Sequence, residues 1–409
     1  MNVALEFQNV DILFARARGR AGQAKITAAL AALDAGRTRA EIAADGGVVV
    51  GVANASLAVS RGHISVLMGL SGSGKSTLLR AANRLNPVTR GRVLVNDGRE
   101  VVDVASCDAA TLRRLRRGCI AMMFQQFGLL PWRSVRDNVG FGLELRGEPA
   151  AIRKAVVDEK LALVGLTQWA ERYVAELSGG MQQRVGLARA FATEADILLM
   201  DEPFSALDPL IRTKLQDELC QLQERVKKTI LFVTHDLDEA LKLGDQISVL
   251  ESGRIVQTGT PEDIVLRPAD AYVAEFVQHM NPLAVLTGRM VMTERGVLWN
   301  DGGLLWLDAA GRYRLTLGTA SEPLSVQAAG VEVPLVVVAD AEQRLPPGPG
   351  LAVAPAEAPL RRLIQLQQES GHPVLLTDGG SFCGVCGPAE VIRALAGGYG
   401  APKHADAAI

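Results

Sequence analysis

The chain of 409 residues is predicted to be an α/β protein, with a parallel-sheet domain over about 1–280 and a smaller α+β domain over about 281–409. Three observations lead there. Up to about Met280, strand-like apolar runs alternate with helix-like segments, the rhythm of parallel strands joined by crossover helices. A glycine-rich loop, Gly69 to Thr77, stands between one such run and one such helix. Beyond Asn281 few residue types suited to catalysis remain, and a break rich in proline and glycine, RLPPGPG at Arg344 to Gly350, interrupts the chain as a linker or loop. The length alone argues for two or three domains.

Read from the N-terminus, the opening strand is followed by an addition. AKITAALAALDAGRTRAEIAADGG, Ala24 to Gly47, carries apolar residues at helical spacing and sets Thr38 and Glu41 at capping-box separation. A helical insertion over about 24–47 is expected. Phe14 precedes it, and no aromatic residue lies between Phe14 and Leu57.

The run ISVLM then leads into GLSGSGKST and on to the helix-like KSTLLRAANRL. The loop contains G-x-x-x-x-G-K-[ST]. Gly69, Gly72 and Gly74 let backbone N–H groups close around phosphate oxygens, and Leu70, Ser71, Ser73 and Thr77 complete the loop. Lys75 reaches the β- and γ-phosphates, Ser76 offers Mg²⁺ an oxygen, and the helix start favours an anion. A nucleotide polyphosphate with Mg²⁺ is therefore the expected ligand.

Further segments follow in order: Phe124-Gln125, LSGGMQQ at Leu177 to Gln183, ILLMDEP at Ile197 to Pro203, SALD at Ser205 to Asp208, and His235 after TILFVT. Asp201 ends a buried run, so its carboxylate is expected at the carboxyl edge of a central strand, where it can organise a cation. Ser178 is placed to cap the helix that follows it, and Gly179 and Gly180 allow close backbone approach. Asp201-Glu202 as a solvated turn and His235 as an ordinary strand-end residue are the plainer alternatives.

Together these segments resemble the ATPase subunits of ABC transporters, over about Val3 to Met280. The resemblance makes the nucleotide ATP and implies a RecA-like parallel core with an antiparallel β lobe and a helical subdomain over about 126–177. It makes Phe124-Gln125 the Q-loop, LSGGMQQ the signature, ILLMDEP the Walker B segment, SALD with Asp208 the D-loop, and His235 the switch histidine. Glu202 is then the general base, aided by Lys75 and His235, while Ser76, Gln125 and Asp201 form the metal shell. Gln126 competes with Gln125 for the sensor role. Phe14 is the candidate to stack on adenine; a buried strand residue is the other reading.

Partners are implied in the same way. In the family the signature contacts ATP held by the opposite subunit, so one phosphate loop and one signature per chain imply a head-to-tail homodimer. Two transmembrane permease subunits would dock short helices on the helical subdomain, with a separate substrate-binding protein outside. The insertion, together with NPVTRGRVLV, LLPWRSVRDNVGFGLELRG and MDEPFSALDPLIRTKLQDEL, resembles the subgroup serving glycine betaine, proline betaine and choline uptake, most of all the choline systems. Choline uptake is the expectation, betaine uptake an alternative, and a regulatory ATPase without a permease a third.

Composition bears on the same question. With 43 basic and 45 acidic residues the net charge is −2 and no basic block suggests nucleic acid. No apolar stretch reaches the roughly 18–20 residues of a membrane span, and the N-terminus lacks a signal-peptide core. A peripheral position on the cytoplasmic face of the cell membrane is expected. The five cysteines are read as reduced thiols; Cys383 and Cys386 have C-x-x-C spacing but no second pair.

The C-terminal domain is less legible. PLRRLIQLQQES, HPVLLT, DGG, SFCGVC and PAEVIRALAG read as helix, strand, turn, strand, helix, resembling one CBS unit over about 359–398. Val297 to Leu317 reads as strands joined by glycine-containing turns. Gly387-Pro388-Ala389-Glu390 lacks the Ser/Thr and Asp of CBS nucleotide sites, so packing or dimerisation is the expected role.

Overall fold

The computed structural model describes residues 3–125, 127–205, 207–278, 283, 286–301, 304–338, 345 and 350–396. The chain divides into two compact units, 1–264 and 265–409. The composition shift near Asn281 thus falls after the point where the packing changes. Composition marks where catalytic residue types end, not where the contacts of one core give way to another.

The first unit opens with β1 (Val3–Ala15) and β2 (Val48–Ser60), a long antiparallel pair. Between them run α1 (Gly19–Asp34) and α2 (Arg39–Ala44), the expected insertion. Its capping box forms: Thr38 Oγ1 accepts from Glu41 N, and Glu41 Oε2 accepts from Thr38 N at 2.7 Å. α1 begins earlier than the apolar spacing suggests. Gly22 is why: a Cβ there would lie 2.2 Å from the Ala17 carbonyl oxygen, so only glycine lets the first turn close against the preceding chain.

β3 (Ile64–Met68) leads through the phosphate loop into α3 (Lys75–Leu79). That helix is shorter than its sequence pattern, because the next N–H groups reach back three residues rather than four, as from Ala81 to Leu78 and Ala82 to Leu79. β4 (Arg90–Asn96) and β5 (Val101–Asp103) extend the first sheet to the order β2-β1-β4-β5. Then come α4 (Ala109–Gly118), β6 (Ile120–Met123), α5 (Val135–Arg146), α6 (Ala150–Leu163), α7 (Gly179–Ala192), β7 (Ile197–Asp201), α8 (Pro209–Val226), β8 (Thr229–Val233), α9 (Leu237–Leu243), β9 (Gln246–Glu251) and β10 (Arg254–Gly259).

The second sheet has the order β10-β9-β3-β8-β7-β6, parallel except for β10 at the edge. All five residues of β3, β7 and β8 are buried, which is why they read as unbroken apolar runs. The sheet therefore brings the carboxyl ends of β3, β7 and β8 side by side, the edge where ligands bind in open α/β sheets.

The second unit follows α10 (Pro261–Leu266), which straddles the division, with α11 (Ala271–Gln278) and α12 (Gly288–Val291). One sheet has the order β11-β20-β19-β18-β17, built from β11 (Thr293–Glu294), β17 (Leu335–Val337), β18 (Leu351–Pro355), β19 (Val374–Asp378) and β20 (Ser381–Cys386). The other is an antiparallel meander of β12 (Asn300–Asp301), β13 (Leu304–Trp306), β14 (Tyr313–Leu317), β15 (Pro323–Ala328) and β16 (Val331–Val333). Leu315, Val326, Leu351, Leu375 and Phe382 share one core between the two sheets. The helix, strand, turn, strand, helix order appears as α13 (Leu360–Ser370), β19, β20 and α14 (Pro388–Leu395). Of Arg344 to Gly350 only Leu345 and Gly350 are described, and the tail from Gly397 onward lies outside the described residues.

Candidate active site

The loop after β3 has Gly69, Gly72 and Gly74 at φ values of +143°, +77° and +108°. These are left-handed conformations that side chains resist, and at Gly69 and Gly74 neighbours also forbid a side chain. A Cβ at Gly69 would lie 2.2 Å from the Leu250 carbonyl oxygen, and one at Gly74 would lie 2.4 Å from that of Gly51. Leu70 is exposed, whereas Ser73 and Lys75 are buried. The Ser73 hydroxyl finds no partner among the described residues.

Lys75 Nζ donates to the carbonyls of Gly69 and Leu70 at 2.8 and 2.9 Å. Burial pushes its pKa down, against the pull of Glu202 and Asp201, which favour the charged form. The cation is thus held by its own loop, close to two carboxylates. A polyphosphate offers stronger acceptors than carbonyls, so the residue is poised to turn toward one.

Asp201, fully buried at the end of β7, accepts from Ser76 Oγ at 2.6 Å through one oxygen. Its other oxygen takes Arg80 Nε and Nη2 at 3.1 and 2.9 Å. Glu202, the next residue, turns sharply to φ +48° while its N–H donates to the Val233 carbonyl. That turn separates the two carboxylates. Glu202 Oε2 instead accepts from Gln125 Nε2 at 3.1 Å and lies 3.4 Å from His235 Nδ1.

Gln125, Glu202 and His235 therefore meet, and Ser76 meets Asp201. Gln125 thus bonds Glu202 and not the expected metal-shell residues Ser76 and Asp201, because its side chain, coming after β6, extends toward the Glu202 carboxylate, while Gln126 lies outside the described residues. Ser178 Oγ accepts from Met181 N at 3.4 Å as the cap of α7, and Asp208 caps α8 through Ile211 N at 3.1 Å. Phe14 is not a buried strand residue: it is 39% exposed.

The family description of an ABC transporter matches residues 52–205. The glycine betaine/carnitine transport ATP-binding protein GbuA of Listeria monocytogenes is 40% identical over 384 residues, 91% of this chain and 94% of that protein. The chain belongs to the ABC transporter ATPases. The glycine betaine/proline betaine transport system ATP-binding protein ProV of Escherichia coli is 47% identical over 289 residues, 71% of this chain and 69% of its own. A solved dimeric ATP-binding cassette, MJ0796, in a post-hydrolysis state bound to ADP and Pi, aligns with a TM-score of 0.52 at 28% identity, over 63% of this chain and 98% of its own.

Two neighbours of this ABC ATPase's site escaped the sequence reading. Gly51 on β2 is one: a Cβ there would lie 2.9 Å from Thr77 Cγ2 and 3.1 Å from Phe14 Cε2, so glycine lets the ring lie beside the phosphate loop. Its signal was a lone glycine inside a strand pattern. Arg80 is the other, one turn beyond Ser76, and only the fold reveals that it reaches Asp201. Burial raises both thiols of the C-x-x-C pair, that of Cys386 to about 12. Among the described residues no group of three or more His, Cys, Asp or Glu could hold a metal, and no helix is long and apolar enough to cross a membrane.

Proposed function

We propose that this ABC ATPase energises import of a quaternary amine as a homodimer on the cytoplasmic face of the cell membrane, joined to two permease subunits and served by a substrate-binding protein. The observation that carries the catalytic part is the shared carboxylate of Glu202, held by Gln125 and approached by His235 at the end of two adjacent parallel strands. That placement suits Glu202 to polarise the attacking water, with Gln125 and His235 keeping it oriented. Lys75 leaves its loop carbonyls and neutralises phosphate charge.

The donor set fits Mg²⁺. Ser76 and Asp201 offer hard oxygens 2.6 Å apart, and these two residues would hold the cation. When bound it supplies charge neutralisation at the β- and γ-phosphates. Arg80 would keep the second Asp201 oxygen in place. Positioning and charge then provide most of the rate, since phosphoryl transfer asks little covalent help.

Support for coupling comes from the helical lobe. α5 and α6 flank an open groove of about 470 Å³ lined by Arg136, Asp137, Glu144, Arg153 and Lys154 among others, a polar cleft suited to a short helix from a permease. Support for the dimer comes from the capped α7 start and from the dimeric cassette whose fold this unit shares. The substrate class rests on GbuA and ProV, whose names specify carnitine and betaines, all quaternary amines. Choline, from the sequence resemblance, is the first member to try.

The deciding experiment is ATPase activity of the subunit reconstituted with its co-purifying membrane proteins, with choline or glycine betaine on the binding-protein side. Stimulation by choline alone supports choline import, and equal stimulation by betaine widens the class. Robust basal hydrolysis untouched by either would overturn the substrate, and failure to co-purify any membrane subunit would favour a permease-free ATPase.

A further inference from the structure

The inserted hairpin is fastened to the strand lobe and also touches the phosphate loop. Arg90 binds Asp11 through Nε at 2.6 Å and grips Asp34, the last residue of α1, through both terminal nitrogens at 2.8 Å. Ile42 of α2 is buried in a small core with Leu13, Leu33, Val48 and Val50. These contacts fix α2 against the sheet.

Two arginines flank the start of α2 and do different things. Arg37 is spent within the hairpin, on Asp45 at 2.7 Å and on the Glu41 carbonyl. Arg39 Nη1 donates to the carbonyl of Gly72 at 2.8 Å, and no described carboxylate forms an ion pair with it. Its positive charge therefore stands beside the phosphate loop without local neutralisation.

The contact reaches further than one carbonyl. The Gly72 carbonyl and the Ser73 N–H belong to one rigid peptide plane. Ser73 N–H closes a turn onto the Leu70 carbonyl at 3.1 Å, and the same carbonyl accepts from Lys75 Nζ at 2.9 Å. Holding Gly72 thus steadies the turn that also holds the lysine.

We propose that Arg39 is a nucleotide-positioning residue supplied by the insertion: it holds the Gly72–Ser73 peptide and adds positive charge beside the polyphosphate of ATP. The proposal rests on Gly69 to Thr77 being the ATP phosphate loop, so Lys75→Ala is measured in parallel. The variants are Arg39→Met and Arg39→Lys in the full chain. Binding of ATP, ADP and AMP and steady-state hydrolysis are followed. Arg39→Met is expected to raise the Kd and KM for ATP about threefold to fivefold, the scale of one partly screened charge interaction, with kcat within about twofold. The penalty falls from ATP to ADP to AMP, and Arg39→Lys recovers most of it.

Unchanged affinity in Arg39→Met overturns the proposal, as does an equal penalty for ATP and AMP, the mark of mere distortion. Arg39→Lys no better than Arg39→Met overturns it too. If Lys75→Ala binds ATP like the wild type, the phosphate-loop reading itself fails, a result distinct from these.

Discussion

Burial acts on Lys75 of the first unit and Cys386 of the second in the same way, disfavouring the charged form of each, yet with opposite uses. Lys75 is enclosed by a loop of left-handed glycines and bonds only to carbonyls that a phosphate can replace. Cys386 is enclosed by a regular strand, its thiol pushed to about 12, with Gln367 donating to its own carbonyl. A thiol so raised stays protonated and is a poor nucleophile near neutral pH. The contrast extends outward. The first unit tolerates an unpartnered Ser73 hydroxyl and a left-handed Glu202, whereas Arg289 of the second is matched by Glu357 at 2.5 Å and Asp378 at 2.7 Å. The difference lies in where such features fall: the unpartnered hydroxyl and the left-handed carboxylate of the first unit stand at the phosphate loop and at the end of β7, whereas the left-handed Ser321 and Ala329 of the second unit stand in the turns on either side of β15.

Substitutions can break that contrast, and Glu202→Gln should have the largest effect. Turnover is expected to fall by about 10² to 10⁴, the worth of a positioned base, with ATP still bound and a dimer retained on size-exclusion chromatography. Hydrolysis near the wild-type rate would remove Glu202 from its role. Next is Lys75→Ala, for which ATP affinity measured by equilibrium titration should drop on the order of tenfold to a hundredfold, because a charged donor to phosphate is lost.

Phe14→Ala comes third. If Phe14 stacks on adenine as proposed, loss of the ring should weaken ATP about threefold to tenfold, and adenosine by a similar factor, since stacking acts on the base and not on the phosphates. A penalty confined to ATP would argue against stacking. The smallest effect on turnover belongs to Leu375→Ala in the second unit. Truncating this fully buried side chain should cost about 2–5 kcal/mol in denaturant unfolding of that unit while leaving kcat within about twofold. A large loss of kcat would mean that the second unit does more than pack.

The site was legible where chemistry dictates spacing. G-x-x-x-x-G-K-[ST] after an apolar run admits little besides a phosphate loop, and an apolar run ending in Asp-Glu places adjacent carboxylates at a strand end. What could not be read is which side chains converge from distant elements. Arg80 reaches Asp201 across 121 positions, and Arg39 reaches Gly72 across 33, because helices pack over strand ends. The second unit was harder because its meander carries few polar signals; residues 302–303 and 339–344 lie outside the described residues.

Sequence by itself determined the parallel core, the insertion with its capping box, the phosphate loop and the order of the motifs, since each depends on local periodicity, caps or glycine. Only the tertiary structure decided that Gln125 and His235 share the Glu202 carboxylate, that Gly51 opens room for Phe14 beside Thr77, and where the first core ends. Those are facts of distance between residues far apart in the chain, and no local pattern encodes them until the sheet has aligned its strands.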